Sequence, residues 1–333
     1  MAAKKVIKVG VVGYGPAYGM GKYHFDQMAA TGVMQPFAAC DINEKQLEVA
    51  RQQFPGIETY TSVDEMLRKS EVELLAIVLP HNLHAPIAVK CLKAGRHVVV
   101  EKPFALTVDE CDQMIAAAKK SKVMLSTFHN RHWDANILTI MKHLPKIGRP
   151  YRWESFHGGR NKPREWWRSD KKISGGVIFD WGAHFTEWML QVMPGQIQDI
   201  SGFMVKEVWK HVTNEDEVTA VVRFKDGAMA MHTDTTLDGA PKATIRIVGT
   251  RGTIIASHTG VELHYTDDQG ARIVASVPME AKASEKYYQN VADHLLKGKK
   301  LIITAEKARR VIQVLDYACR SAQSGKLMKA KYA

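Results

Sequence analysis

The stretch Val6-Ile7-Lys8-Val9-Gly10-Val11-Val12-Gly13-Tyr14-Gly15-Pro16-Ala17-Tyr18-Gly19-Met20-Gly21 decides how this chain begins to fold. Val6–Val12 is an almost unbroken run of β-branched and aliphatic residues, the composition of a strand covered on both faces. Glycines follow it at once, and a helical pattern over Lys22–Ala30 follows the glycines. In a strand–loop–helix of this kind glycine has three uses: a tight turn, close backbone approach to a pyrophosphate, and close packing of helix on strand. The phosphates rest on free N–H groups at the positive end of the helix. Gly13, Tyr14, Gly15 and Gly21 are therefore candidate cofactor-binding residues. With Gly21 as third glycine the spacing is stretched by three residues relative to Gly-x-Gly-x-x-Gly, and Pro16 removes one potential N–H donor.

Asp41 adds to this reading. It closes the second apolar strand (Gln35–Cys40), about twenty residues past Gly21, where an acid binds the adenosine ribose hydroxyls. A carboxylate there repels a 2′-phosphate, so NAD is favoured over NADP, with Lys45 close enough in sequence to soften the preference.

The alternation continues. Strands are predicted at Leu74–Leu79, Val98–Val100 and Met124–Thr127, and helices at Glu44–Phe54, Val63–Lys69, Pro86–Ala94 and Val108–Ser121. Thr107 and Glu110 form a capping box at the start of the last of these. This is a parallel α/β pattern. A connecting helix over Asn130–Arg149 ends at Ile147-Gly148, and beyond it the pattern changes. Strand-like runs at Tyr151–Phe156, Ile200–Val208, Val218–Phe224, Ala228–Asp234, Ala243–Gly249, Thr253–Ala256, Val261–Tyr265 and Arg272–Val277 are separated by turn signals such as Lys225-Asp226-Gly227. They predict a large, mostly antiparallel open sheet of about six to nine strands. Helices follow at Ser284–Lys297 and Thr304–Ser324. The expected organisation is an α/β Rossmann domain over residues 1–129 and an α+β domain over residues 130–333, the helix near 304–324 able to pack back on the first.

Composition narrows the function classes. A chain of 333 residues with 45% hydrophobic and 24% charged residues is an ordinary globular composition with room for two cores. The net charge of +11 is spread along the chain with short runs only at Lys119-Lys120, Lys171-Lys172 and Lys297–Lys300. No nucleic-acid motif accompanies it, so it reads as a solvated surface rather than a nucleic-acid site. Met1-Ala2-Ala3-Lys4-Lys5 runs directly into the first strand without a signal-peptide pattern, and no apolar stretch is long enough to enter a membrane. Cys40, Cys91, Cys111 and Cys319 have neither CxxC nor zinc spacing, which fits a reducing, cytoplasmic location.

Ala94-Gly95-Arg96-His97-Val98-Val99-Val100-Glu101-Lys102-Pro103 resembles the hallmark of the glucose–fructose oxidoreductase/inositol dehydrogenase family, Gfo/Idh/MocA. Leu79-Pro80-His81-Asn82-Leu83-His84 is similar to that family's Thr-Pro-Asn-x-x-His loop, with Leu79 for Thr and His81 for Asn. Gly175-Gly176 followed by Asp180 and His184 resembles its Gly-Gly…Asp-x-x-x-His segment, and Asn130-Arg131 the sequence after its last Rossmann strand. The resemblance spans essentially the whole chain. It implies Pro80, His81, His84, Glu101 and Lys102 at the cofactor, and Lys102, Asp180 and His184 as catalytic residues.

The chemistry agrees. Oxidation of a secondary alcohol needs a base for the hydroxyl proton, and an imidazole with a pKa near about 6.5 suits that task at His184. Asp180, four residues earlier in a helical pattern, would share its face and could orient the ring, stabilise its cation or hold a substrate hydroxyl. Lys102, just past a strand, would stand at the carboxyl edge of the sheet and stabilise a developing alkoxide. Arg131, His157, Trp167 and Arg168, with Trp166 and Arg160 beside them, are candidate substrate contacts, since aromatic faces next to polar groups suit a sugar; tryptophan is also the commonest core filler. Asp180 and His184 have metal-ligand spacing, but no third ligand has a defined place, so no metal is expected. The implied activity is an NAD-dependent dehydrogenase acting on a secondary hydroxyl of a sugar, glycoside or cyclitol. Two alternatives stand beside it: a redox-assisted glycosidase that keeps its NAD, and a non-enzymatic dinucleotide sensor, which would not need Lys102, Asp180 and His184. The resemblance also implies a homo-dimer or homo-tetramer built through the C-terminal sheet.

Overall fold

The computed structural model describes residues 5–15, 17–240 and 242–332. Met1–Lys4 and Pro16 of the glycine loop lie outside the described residues. Two compact units are present, one formed by the chain up to His129 together with Glu285–Arg309, the other by Asn130–Ser284 together with the chain from Arg310.

The first unit alternates β1 (Ile7–Val12), α1 (Met20–Ala29), β2 (Met34–Cys40), α2 (Glu44–Gln53), β3 (Glu58–Tyr60), α3 (Val63–Lys69), β4 (Leu74–Ile77), α4 (His84–Lys93), β5 (His97–Val100), α5 (Val108–Ser121) and β6 (Leu125–Thr127). The strands are all parallel in the order β3-β2-β1-β4-β5-β6. This is a six-stranded Rossmann sheet. Val9, Val11, Leu74–Ile77 and Val98–Val100 are buried on both faces, as the apolar runs require. The order reverses between β1 and β4, and the loops that leave their carboxyl ends carry the glycines and Pro80-His81, the place where open α/β sheets bind ligands. The capping box of α5 is complete: Glu110 N donates to Thr107 Oγ1 (3.2 Å) and Thr107 N to Glu110 Oε2 (3.1 Å). β3 was not expected, because its three half-buried residues Glu-Thr-Tyr carry no apolar run.

The second unit begins with α6 (Ala135–His143), flanked by short 3₁₀ turns at Asn130–Trp133 and Leu144–Ile147. The single connecting helix expected over 130–149 is thus divided into three pieces; Pro145, at the start of the second turn, cannot continue an α-helical ladder. Then come β7 (Pro150–Gly158), α7 (Lys171–Ser174), α8 (Gly182–Val192), β8 (Ile197–Val205), β9 (Glu217–Phe224), β10 (Met229–Thr235), β11 (Ile245–Gly249), β12 (Gly252–Ala256), β13 (Val261–Thr266) and β14 (Arg272–Val277). α9 (Lys286–Lys297) counts with the first unit, α10 (Ala305–Ser324) is divided at Arg309, and β15 (Met328–Lys329) closes the chain's described structure. The nine-stranded sheet has the order β14-β13-β12-β11-β7-β10-β9-β8-β15, antiparallel at every step except β7–β10.

One face of that sheet is covered. Trp153, Ala220, Val222, Ala230, Ile245, Ile247 and Leu263 are buried there, and α8 packs its buried Phe185 and Trp188 over β7 and β10. The other face leaves Phe203 and Val274 exposed. No helix among the described residues is long and apolar enough to cross a membrane.

Gly202 of β8 lies against α10 so closely that a Cβ would stand 1.9 Å from the Ala318 carbonyl oxygen. Gly202→Ala is expected to destabilise the second unit by about 1–3 kcal/mol or more, read as a lower urea midpoint at unchanged m-value.

Candidate active site

Gly13 leaves β1 with φ +95°, a conformation that L side chains rarely adopt, and a Cβ there would sit 1.9 Å from the Val78 carbonyl oxygen. Its N–H donates to Cys40 O (2.8 Å), which fixes the loop against the end of β2. At Gly15, by contrast, a Cβ would meet nothing within 4 Å, so the backbone at the crest of the loop is bare. Gly21, in the first turn of α1, is buried beneath Tyr14, whose ring carbon would be 2.7 Å from an added Cβ. It is a packing glycine between helix and loop.

Tyr14, expected as a cofactor contact, is engaged elsewhere. Its N–H donates to Asp41 Oδ2 (2.7 Å), its ring is buried, and its hydroxyl donates to Gln53 Oε1 (2.6 Å). Burial, with the nearby Asp26 charge, pushes its phenol up to about 12. Asp41 itself is anchored by its N–H to Tyr60 O (3.1 Å), and its Oδ1 accepts from Asn43 N (2.9 Å). A carboxylate has about four acceptor sites, so Asp41 keeps capacity for ribose hydroxyls after these two backbone donors. The open backbone at Gly15, the helix start behind it and this half-filled carboxylate fit a dinucleotide.

After β4, Pro80 precedes a 3₁₀ turn at His81–Leu83 and His81 is buried. His84 is fully buried, with Nδ1 2.7 Å from Pro103 O and Nε2 2.8 Å from Leu79 O. Burial holds its pKa below the usual imidazole range, while the two carbonyls pull the other way. Both ring nitrogens face backbone carbonyls, and the ring braces the segments that carry Leu79 and Pro103.

Glu101 is likewise engaged within the protein. Its Oε2 accepts from Lys102 N (2.9 Å) and its Oε1 lies 3.0 Å from His24 Nε2; the other His24 nitrogen is 2.6 Å from the Tyr288 hydroxyl. Burial works to raise the Glu101 pKa, but the His24 hydrogen bond and charge, with Lys102, outweigh it and hold the carboxyl below its usual range. Glu101 positions Lys102, whose side chain is half-buried at the end of β5 and whose peptide to Pro103 is cis.

In the second unit α8 begins at Gly182, so His184 lies in its first turn and is buried, with its N–H donated to Trp181 O (2.9 Å). Asp180 lies ahead of the helix, at the end of a 3₁₀ turn over Val177–Phe179. Asp180 thus precedes the helix that carries His184 instead of lying within it as expected. Asp180 Oδ1 instead accepts from Arg168 Nη1 (2.8 Å). The Arg168 guanidinium lies over Trp167 (4.7 Å) and Trp166 (5.6 Å). Arg168 and Trp167, expected at the substrate, form a stacked support for Asp180.

Trp181 is the centre of the cluster and had no role assigned from sequence. His157 stacks on it (4.7 Å, 22° between planes), the Arg131 guanidinium lies 4.7 Å from its ring, and His184 (5.6 Å) and His258 (5.9 Å) approach at steep angles. Arg131 also donates to Asp134 Oδ2 (2.8 Å), and its carbonyl accepts from Trp188 Nε1 (2.8 Å). Burial, then the nearby Arg131 and His157, lower the His258 pKa. The one sequence signal for Trp181 was its position between Asp180 and His184; His258 gave none.

Two family models match the chain: the oxidoreductase family with NAD-binding Rossmann fold over residues 7–129, and the GFO/IDH/MocA C-terminal domain over residues 145–255. The chain belongs to the Gfo/Idh/MocA family. Its first unit is thereby the NAD-binding Rossmann fold of an oxidoreductase family. The chain is similar to the scyllo-inositol 2-dehydrogenase (NADP(+)) IolW of Bacillus subtilis, 29% identical over 56% of this chain and 51% of the relative, so the match spans about half of that protein. It is 25% identical to the myo-inositol 2-dehydrogenase of Thermotoga maritima over 80% of each chain. Among solved structures, the WlbA dehydrogenase of Bordetella pertussis in complex with NADH and UDP-GlcNAcA superposes with TM-score 0.85 at 22% identity, covering 99% of this chain and 100% of that one. That likeness is one of fold.

The sign of the Glu101 effect is testable. A carboxyl held below its ordinary value of 4.5 contributes stability that is present above that pH and lost as pH falls through the folded value. In urea melts across the acid range, the stability gap between wild type and Glu101→Gln is expected to be widest near neutrality and to shrink on acidification. A gap independent of pH contradicts the ionised pairing.

Proposed function

We propose that this protein is an NAD-dependent dehydrogenase acting on a secondary hydroxyl of a cyclitol, sugar or glycoside. The observation that carries the reading is the Trp181 cluster, in which Arg131 and His157 lie on one indole ring and His184 and His258 approach its edge. Hydrogen-bonding side chains gathered round an aromatic core suit a polyol, which alternates C–H faces with hydroxyls. Family membership and the inositol dehydrogenases among its relatives support the same class.

Gly13, Gly15 and the start of α1 would hold the pyrophosphate, and Asp41 the adenosine ribose, with Pro80 and His81 beside them. A nicotinamide held there would supply the acceptor for the hydride of the carbinol carbon. His184 takes the hydroxyl proton as general base, and the Lys102 ammonium stabilises the negative charge that grows on oxygen. Asp180, fixed by Arg168, accepts a hydrogen bond from a substrate hydroxyl. NAD is preferred because the Asp41 carboxylate repels a 2′-phosphate.

A panel of cyclitols, sugars and glycosides offered with NAD is expected to yield the reduced dinucleotide by absorbance. Removal of the base in His184→Ala is expected to lower kcat by about 10²–10⁴-fold without changing the Kd for NAD. Glycoside cleavage with bound NAD and no net reduction would replace this reading with that of a redox-assisted glycosidase. Dinucleotide binding with no turnover of any of these compounds, unaffected by Lys102→Ala, would replace it with that of a sensor. For the cofactor, Asp41→Ala is expected to shift the kcat/KM ratio of NAD to NADP by at least about tenfold toward NADP; an unchanged ratio contradicts the role given to Asp41.

A further inference from the structure

A second Asp–His arrangement joins His157 of the Trp181 cluster to Asp234 and His232, two residues to which no role has been given. The parallel pairing of β7 with β10 sets Ser155 beside His232 and His157 beside Asp234. Asp234 is 1% exposed, and each of its oxygens meets one histidine: Oδ1 is 2.9 Å from His157 Nδ1, and Oδ2 is 2.9 Å from His232 Nε2. Behind His232, Ser155 Oγ is 2.8 Å from its Nδ1, and Trp153 Nε1 is 2.9 Å from that hydroxyl.

The inventory of donors gives this chain a direction. An ionised carboxylate only accepts, so the proton of a neutral His232 ring is on Nε2, aimed at Asp234, and its Nδ1 is an acceptor. Ser155 then donates to that Nδ1, and its oxygen accepts from the indole N–H of Trp153. For the same reason His157 must also donate to Asp234, from Nδ1. Burial works against ionisation of Asp234, but His232 and His157 outweigh it and hold its pKa below the usual range. The rings are also held in place, His157 by Trp181 and His232 by Phe185 (4.8 Å, 21°). Room for the carboxylate depends on Gly182 at the start of α8, where a Cβ would stand 2.9 Å from Asp234 Oδ2.

We propose that Asp234 and His232 are positioning residues that lock His157 in the Nδ1–H tautomer, leaving its Nε2 as a hydrogen-bond acceptor for a substrate hydroxyl. This last step rests on the polyol reading above; the tautomer does not. Among the described residues, Arg131 with its partner Asp134, His184 and His258 also stand around the His157–Trp181 stack.

The test uses the full chain labelled with ¹⁵N-histidine, in long-range ¹H–¹⁵N correlation spectra at neutral to mildly alkaline pH, with His157→Gln assigning the signal. Wild type is expected to show His157 protonated on Nδ1 and bare on Nε2. Asp234→Asn offers one oxygen and one N–H₂ where the carboxylate offered two acceptors, so it is expected to change the tautomer of at least one of the two rings. In the same variant KM for an oxidised polyol is expected to rise at least about tenfold, with kcat within about threefold and NAD affinity unchanged. His232→Gln, which can still donate to Asp234, is expected to restore KM to near wild type, and His232→Leu is not. An Nε2–H tautomer in wild type overturns the lock without need of any variant. An Nδ1–H tautomer with KM unmoved in folded Asp234→Asn overturns the acceptor role alone. Absence of polyol oxidation in wild type overturns the acceptor role with the polyol reading and leaves the tautomer result to decide the lock.

Discussion

Glu101 is a buried carboxylate with one oxygen on the N–H of Lys102 and the other on His24, which is in turn tied to Tyr288. Three distant parts of the sequence, the end of β5, the helix behind the glycine loop and α9, meet through it. A buried charge is tolerable only when its hydrogen bonds and partners are complete, and removing one partner costs about 3–5 kcal/mol. The direction in which Lys102 leaves the strand is therefore set by an interaction that cannot be partly made. Asp216 in the second unit repeats the device: it accepts from Val208 N (2.6 Å), Glu207 N (2.8 Å) and Lys206 Nζ (3.1 Å), and these donors hold its pKa below the usual range against the effect of burial. Asp234 works in the same way on two imidazoles.

Many of the polar residues that motif reading places at ligands are also tied within the protein. Glu101 and His84 hold backbone, Tyr14 donates its N–H to Asp41, and Arg168 holds Asp180. The groups with chemistry to offer thus rest on a second set that fixes them. Fixed donors and acceptors lower the cost of reorganisation during reaction, which is where preorganised sites gain most of their rate.

The Rossmann unit was legible because its strands are buried on both faces and so carry continuous apolar runs, and because Gly13 and the Glu101-Lys102-Pro103 turn are fixed in sequence relative to them. Element ends moved by a residue or two, and β3 escaped because it is short, half-buried and without an apolar run. The nine-stranded sheet was legible as strands but not as an order, since nothing local says that β10 pairs parallel with β7. That pairing creates the Asp234 network from residues 77 apart in sequence. For Asp180 and His184 the spacing suggested one helix; the 3₁₀ turn after Gly176, which has φ +126°, instead ends at Asp180 and starts the helix two residues later. Trp181 stood in a recognised motif and was overlooked because its role is to be surrounded.

Deuterium transfer is the decisive measurement. Purified protein is given NAD and a cyclitol or sugar that it oxidises, carrying deuterium at its carbinol carbons, and the reduced dinucleotide is examined by mass spectrometry. Direct hydride transfer predicts one deuterium on the nicotinamide ring of every molecule reduced. Reduced dinucleotide without the label, or bound NAD that is never reduced by any labelled polyol, contradicts it.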